Sequence, residues 1–259
     1  MAENPCVIGR GITNSRSNYG TAAAVAKAEA LINGRFYLFR QALRDKNALN
    51  GSLDGFIGQL ERDFRAEQYL EQLVDLEATC QRNLEKSNFD SAERNTLDQV
   101  FKRLTTEAPE LFAPGAKRKS DFFRDIAGSQ YLAVGEEVSK ALGTRYDNLP
   151  NLFDRSIIEV ENRVYDDSVR RHLLSALERS FIALPETQTK RAAIEAPIKG
   201  ILDTDMVETY VVGTGYGRAR LPFSKEHVRS EIPVSYTHLR AHETVLDLVC
   251  RLLLEKKHQ

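Results

Sequence analysis

The sequence predicts an α/β fold in which a small sheet carries a large all-helical insertion. Residues 5–13 and 207–212 favour β-strands, and a helical pattern over residues 21–46 follows the first of them. Between residues 51 and 184 the apolar positions recur at three- and four-residue steps, which is the helical period. We therefore expect both strands in one sheet, the helix covering that sheet, and a separate helical body between them. A single helical bundle with no sheet is the alternative.

The first strand and the first helix are predicted from small and apolar residues. Gly9 and Gly11 interrupt an apolar run within residues 5–13. The alanine-rich first half of the helix over residues 21–46 suits a close approach to a sheet, whereas Gly34 weakens its middle.

The central block shows helix signals and one predicted loop. Asp90, followed three residues later by Glu93, is typical of a capping box at the start of a helix. Residues 105–120 hold two prolines and a basic run, which predicts a solvated surface loop in preference to a phosphate site. His172 lies beside an apolar stripe, so a packing or surface role is favoured over catalysis. Further helices are predicted at residues 121–127, 135–142, 167–184 and 190–202, the last broken near Pro197.

The strand at residues 207–212 leads into a glycine-rich loop. Gly213, Gly215 and Gly217 alternate through this loop, and Arg218 follows the last of them. Glycine permits positive φ and lets the backbone approach a ligand closely. A strand that ends in such a loop presents backbone N–H groups to an anion. The loop therefore predicts an anion site, with a purely structural turn as the alternative.

Two separated segments resemble one family of ATPases. Residues 213–223, GTGYGRARLPF, with residues 230–232, SEI, after them, resemble the BadF/BadG/BcrA/BcrD ATPases. Residues 8–19, IGRGITNSRSNY, resemble one branch of that family, the A subunits of ATP-dependent (class I) benzoyl-CoA reductases. The similarity covers residues 7–44 and 198–232, and two matches in the right order are more specific than either alone.

The resemblance implies an actin/Hsp70-like, ribonuclease H-like ATPase fold, of which this chain would be a fragment with a large helical insertion. In the family, two such subunits flank a shared 4Fe-4S cluster. ATP hydrolysis drives low-potential electrons from ferredoxin into partner subunits, which bind benzoyl-CoA and reduce its aromatic ring. The implied cofactors are ATP and Mg²⁺, with a 4Fe-4S cluster whose ligands lie outside this chain. The implied partners are a second ATPase subunit, the benzoyl-CoA-binding reductase subunits and ferredoxin.

The resemblance also assigns site residues. The cofactor-binding loop would comprise Gly213, Thr214, Gly215, Tyr216, Gly217 and Arg218. Glu231 would be the catalytic residue and would orient water or Mg²⁺ near the γ-phosphate. The alternatives are a structural turn for the glycines, a pairing with an acid for Arg218, and a helical surface position for Glu231.

Two other functions stay open at this stage. An activator ATPase of a 2-hydroxyacyl-CoA dehydratase shares the GTGYGR-type loop, but the long helical insertion and the GITNSRSNY segment argue against it. A non-enzymatic helical interaction module, in which the glycine loop is incidental, is a hypothesis from a different class of protein.

The end of the sequence resembles translated DNA from a sequencing adaptor. Residues 234–244, VSYTHLRAHET, match one reading frame of a transposase adaptor, and we interpret residues 234–257 as an artefact. His238, His242 and Glu243 imitate a helical zinc site there, but the adaptor origin is the preferred interpretation. The predicted segments are 1–50 and 186–233 for the ATPase part, 51–185 for the helical insertion and 234–259 for the artefact.

Composition sets limits on function. The 259 residues include 36 Lys and Arg against 37 Asp and Glu, a formal net charge of −1, so nothing favours nucleic-acid binding. No apolar run reaches membrane-spanning length. Cys6, Cys80 and Cys250 lie far apart without a CxxC spacing, which excludes a recognisable zinc or iron–sulfur motif. We expect a cytoplasmic protein that binds neither membrane nor nucleic acid.

Overall fold

The computed structural model describes residues 7–13, 19–46, 49, 51–85 and 90–206, together with the backbone of residues 211–213, 228–230 and 250–251. Most of these residues lie in the helices α1 (Tyr19–Asp45), α2 (Leu53–Glu85), α3 (Ser91–Leu111), α4 (Phe123–Leu142), α5 (Asn148–Glu161), α6 (Asp166–Ala183) and α7 (Arg191–Leu202). A 3₁₀ helix, Pro185–Lys190, precedes α7. The strands are β1 (Arg10–Gly11), β2 (Val211–Gly213), β3 (Val228–Ser230) and β4 (Cys250–Arg251).

The predicted α/β fold is wrong. Within the described residues the chain is predominantly helical, and its strands form two separate pairs, β1 with β4 antiparallel and β2 with β3 parallel. Val211 lies in β2, whereas Val7 lies outside the strands, so the two predicted strands do not share a sheet. The actin/Hsp70-like, ribonuclease H-like architecture is therefore corrected to a mainly helical fold.

The extended segment near the start of the chain packs on α1 through its glycines. A Cβ atom at Gly11 would lie 1.8 Å from the carbonyl oxygen of Ala26, and one at Gly9 would lie 2.2 Å from that of Ala30. Only glycine fits at so close a backbone approach. The helix predicted over residues 21–46 is confirmed as α1, and its alanine-rich half makes a close approach to this short segment and not to the predicted sheet.

Two helices continue where the sequence predicts an interruption. α3 extends to Leu111 with Pro109 in its last turn, so the loop predicted over residues 105–120 is wrong for its first part. The guanidinium group of Arg118 donates to the carbonyl oxygen of Leu111 at 2.8 Å, which satisfies one of the carbonyls that a helix end leaves open. α7 also continues through Pro197, which is buried, so the predicted break there is wrong.

The capping box predicted at Asp90 is confirmed at the start of α3. The backbone N–H of Glu93 donates to Oδ1 of Asp90 at 2.8 Å, and the backbone N–H of Asp90 donates to Oε2 of Glu93 at 3.0 Å. The amide of Asn148 donates to the other oxygen of Glu93 at 2.9 Å and joins the start of α5 to the start of α3. A cap of this kind stabilises a helix by about 1 kcal/mol.

The chain divides into two compact units. The first unit comprises Met1–Gly58, Val164–Arg171 and Phe181–Gln259, and the second comprises Gln59–Arg163 and His172–Ser180. Three of the four boundaries between the units fall within helices, one inside α2 and two inside α6, and the fourth lies between α5 and α6. The boundaries predicted from the sequence stay predictions.

Each unit has its own aromatic packing. In the second unit Tyr131 lies between Phe101 and Phe153, with ring centroids 5.8 Å and 5.0 Å away. In the first unit the rings of Phe56 and Phe181 lie 5.8 Å apart. Offset and tilted rings at these separations add to the free energy gained by burying their apolar area. None of the helices in the part of the chain described here is long and apolar enough to cross a membrane.

Candidate functional site

The candidate site is the carboxyl end of the β2–β3 pair. The two strands run parallel, and their register pairs Val211 with Val228, Val212 with Arg229, and Gly213 with Ser230. Gly213, the first residue of the predicted cofactor-binding loop, therefore lies beside Ser230, which immediately precedes Glu231 in the sequence. The fold brings together the starting points of the two segments that the sequence selected as candidate site residues.

The parallel pairing of the two strands is the reason why their carboxyl end is a candidate ligand site. Both strands point the same way, so the chain leaves Gly213 and Ser230 at the same end of the pair. In open sheets, ligands bind at the carboxyl ends of parallel strands, where turns expose backbone N–H groups. The remaining predicted site residues lie outside the described residues: Thr214, Gly215, Tyr216, Gly217, Arg218 and Glu231. Their predicted roles stay predictions.

A row of acidic side chains lies on α2 and was not predicted from the sequence. Asp63, Glu67, Glu71 and Asp75 follow one another at four-residue steps, and we call them the carboxylate row. Because residues four apart share a helix face, all four lie along one side of α2. The spacing is visible in the sequence, and it is the signal that could have found them.

The first two members of the carboxylate row contact the end of α6. The hydroxyl of Ser180 donates to Oδ2 of Asp63 at 2.8 Å, and Nη1 of Arg179 lies 2.8 Å from Oε1 of Glu67. The amide of Gln59, one turn earlier on α2, also donates to Asp63 at 3.1 Å. These contacts attach a polar edge of α6 to α2.

The other two members contact His172 and Arg163. Nε2 of His172 lies 3.1 Å from Oε2 of Glu71, and the guanidinium group of Arg163 pairs with Asp75. The carboxyl side chains of Glu71 and Asp75 keep only about a fifth of their surface exposed, at 22% and 23%. A charge this far removed from water needs a partner, and each carboxylate has one.

His172 has a packing role in α6. The residue is buried, with 3% of its surface exposed, and its ring meets that of Phe64 edge-on with centroids 6.3 Å apart. The structure thus favours packing over a surface position, the two roles that the sequence left open. The contact with Glu71 provides the imidazole with an acidic neighbour in this otherwise apolar position.

Cys80 lies in the core of the second unit and is fully buried. Burial raises the pKa of its thiol from 9.0 to about 12, with a smaller opposing effect from a hydrogen bond with Ser156. The nucleophilic form of cysteine is the thiolate, and a thiol with so high a pKa stays protonated at neutral pH. Cys80 is therefore a packing residue and not a candidate nucleophile. Cys6 lies outside the described residues, and of Cys250 only the backbone in β4 is described.

The described residues contain no candidate metal site. Among the residues described, no group of three or more His, Cys, Asp and Glu side chains could hold a metal ion. The carboxylate row is included in this finding, because its members are spread along α2 and contact α6 or Arg163 individually. The implied ATP, Mg²⁺ and 4Fe-4S cluster stay predictions.

Comparison with known proteins gives no family assignment. No protein family, curated protein or solved structure matches this chain.

Proposed function

We propose that this chain provides part of the ATPase, electron-activating function of an ATP-dependent benzoyl-CoA reductase. The observation that carries the proposal is the pair of motifs, IGRGITNSRSNY and GTGYGRARLPF, in the order in which the BadF/BadG/BcrA/BcrD ATPases have them. ATP hydrolysis in this assembly drives low-potential electrons toward the subunits that reduce the aromatic ring of benzoyl-CoA.

The organisation of the chain supports this proposal in one respect. β1 lies within the first motif, and α1 begins at the last residue of that motif. Both belong to the first unit, and so does β2, where the second motif begins. The second unit is inserted in the sequence between them. Two motifs that act at one nucleotide site are expected in one compact unit.

In the proposed site, backbone N–H groups of residues 213–218 bind the phosphates of ATP and Arg218 adds a positive charge. Glu231 orients the attacking water or Mg²⁺ near the γ-phosphate. The support is the parallel register of β2 and β3, which starts both segments from the same end of the strand pair. Preorganised donors of this kind stabilise the charge that develops on the transferred phosphoryl group.

The proposed partners are a second ATPase subunit, the benzoyl-CoA-binding reductase subunits and ferredoxin, and the proposed location is the cytoplasm. A 4Fe-4S cluster belongs to the proposed assembly, with ligands outside this chain. The second unit has a scaffolding role in this proposal, because its described carboxylates pair with Arg179 and His172 and its aromatic rings pack against one another.

Anaerobic purification of the tagged chain from its source cells tests the proposal. We expect an iron–sulfur-containing assembly that hydrolyses MgATP when benzoyl-CoA is reduced. In that assembly Glu231→Gln should abolish hydrolysis, and Gly215→Ala should weaken ATP binding. Gly200→Ala is the matched control, because a Cβ at Gly200 meets nothing within 4 Å, and it should leave both unchanged. A chain that purifies alone, from cells whose benzoyl-CoA reduction survives deletion of its gene, would refute the proposal.

A helical interaction module is the second candidate, and the predominance of helices in the described residues favours it. In such a protein the glycine loop is incidental. Replacing Gly215 and Gly217 together by alanine would then leave both partner binding and the cellular phenotype unchanged. The ATPase proposal expects the same double variant to lose ATP binding, so one experiment separates the two functions.

A further inference from the structure

We draw no further inference here: the strongest candidate, the carboxylate row on α2, is an acidic cluster whose members already contact α6 or Arg163 within the second unit, and no second observation in the described residues points to a ligand for it.

Discussion

The second unit and the β2–β3 pair differ in the interactions that stabilise them. The second unit packs aromatic rings against one another and matches carboxylates with an arginine, a histidine or a hydroxyl group. What the structure describes of the β2–β3 pair is backbone pairing, with a glycine at the end of β2. The second unit contains neither of the motifs that suggest chemistry, and the strand pair begins one of them. Stability is thus assigned to the second unit and the proposed chemistry to the strand pair. Substitutions in the second unit test the assignment of stability.

The largest effect is expected in the aromatic core of the second unit. Phe101 is buried at 1% exposure and its ring contacts that of Tyr131. Phe101→Ala should lower the free energy of unfolding by about 3–5 kcal/mol, because it removes apolar burial and leaves a cavity. The measurement is urea unfolding followed by circular dichroism. Ile158→Ala is the control, since Ile158 is 52% exposed, and it should change the free energy by less than about 0.5 kcal/mol. Equal effects of the two variants would contradict the assigned core.

The carboxylate row is expected to contribute less than the aromatic core. A double-mutant cycle with Glu71→Gln and His172→Gln should give a coupling energy of about 1–3 kcal/mol, because the two side chains are in contact and largely out of water. The matched pair is Arg82 and Glu159, whose side chains are 55% and 48% exposed. Its coupling should stay below about 1 kcal/mol, since solvent screens exposed pairs.

Chemical unfolding of the unmodified protein, the four single variants and the two double variants measures both couplings. A larger coupling at the exposed Arg82–Glu159 pair than at Glu71–His172 would show that burial does not control these contacts.

Helices were more predictable from this sequence than strand pairing, for a physical reason. The helical period and the capping box at Asp90 are local signals, and α1 and α6 lie close to their predicted bounds. Strand pairing is a nonlocal property. Nothing in residues 5–13 shows that Gly9 and Gly11 fit against the backbone of α1, so the common sheet with β2 was a wrong prediction.

The missed helix and the merged helix have identifiable causes. α5 begins with Asn148 and has Pro150 in its first turn, residues that are typical of turns, although proline is tolerated at this position of a helix. Its buried residues do follow the helical period: Leu149, Leu152, Phe153, Ile157 and Val160. α4 is one helix where two were predicted. Inside it, Gly128 faces the ring of Phe153, and Gly135 faces Leu149 and the ring of Tyr146. Glycine weakens a helix, and these tertiary contacts offset that effect. Such contacts have no local signature in the sequence.

The site was predictable only in part. The glycine loop and Glu231 were predicted from a family resemblance. In the structure, the register of β2 and β3 places Gly213, where the loop begins, beside Ser230, which precedes Glu231. The carboxylate row was not predicted from the sequence, because acidic residues at four-residue steps are also typical of a solvent-exposed helix face. Only the contacts with α6 and Arg163 distinguish a row of paired carboxylates from a solvent-exposed acidic face.

Alkaline pH should destabilise the second unit through Cys80. Below pH 9.0, the ordinary pKa, the thiol is neutral in both states; between pH 9.0 and about 12 it ionises only when the chain unfolds. The unfolded state then binds fewer protons than the folded state, so stability falls as pH rises, by about 1.4 kcal/mol per pH unit for one group.

Cys80→Ala should remove that part of the pH dependence while costing some packing free energy at pH 7. Urea unfolding at pH 8, 9, 10 and 11 for both proteins makes the comparison. Identical slopes for the two proteins would mean that the buried thiol does not resist ionisation.

The smallest effect is expected from single hydroxyl groups, and its sign is the informative part. The Oη atom of Tyr131 is buried and has no hydrogen-bond partner among the described residues, whereas Oη of Tyr146 donates to the carbonyl oxygen of Leu132 at 3.3 Å. Burying a hydroxyl group without a partner costs free energy, and removing it recovers that cost. Tyr131→Phe should therefore leave stability unchanged or raise it by up to about 1 kcal/mol, and Tyr146→Phe should lower it by about 0.5 kcal/mol. Thermal unfolding of both variants in one buffer measures the difference. A marked loss of stability in Tyr131→Phe would show that this hydroxyl has a partner, and the core of the second unit would then contain a polar contact where packing alone is now assigned.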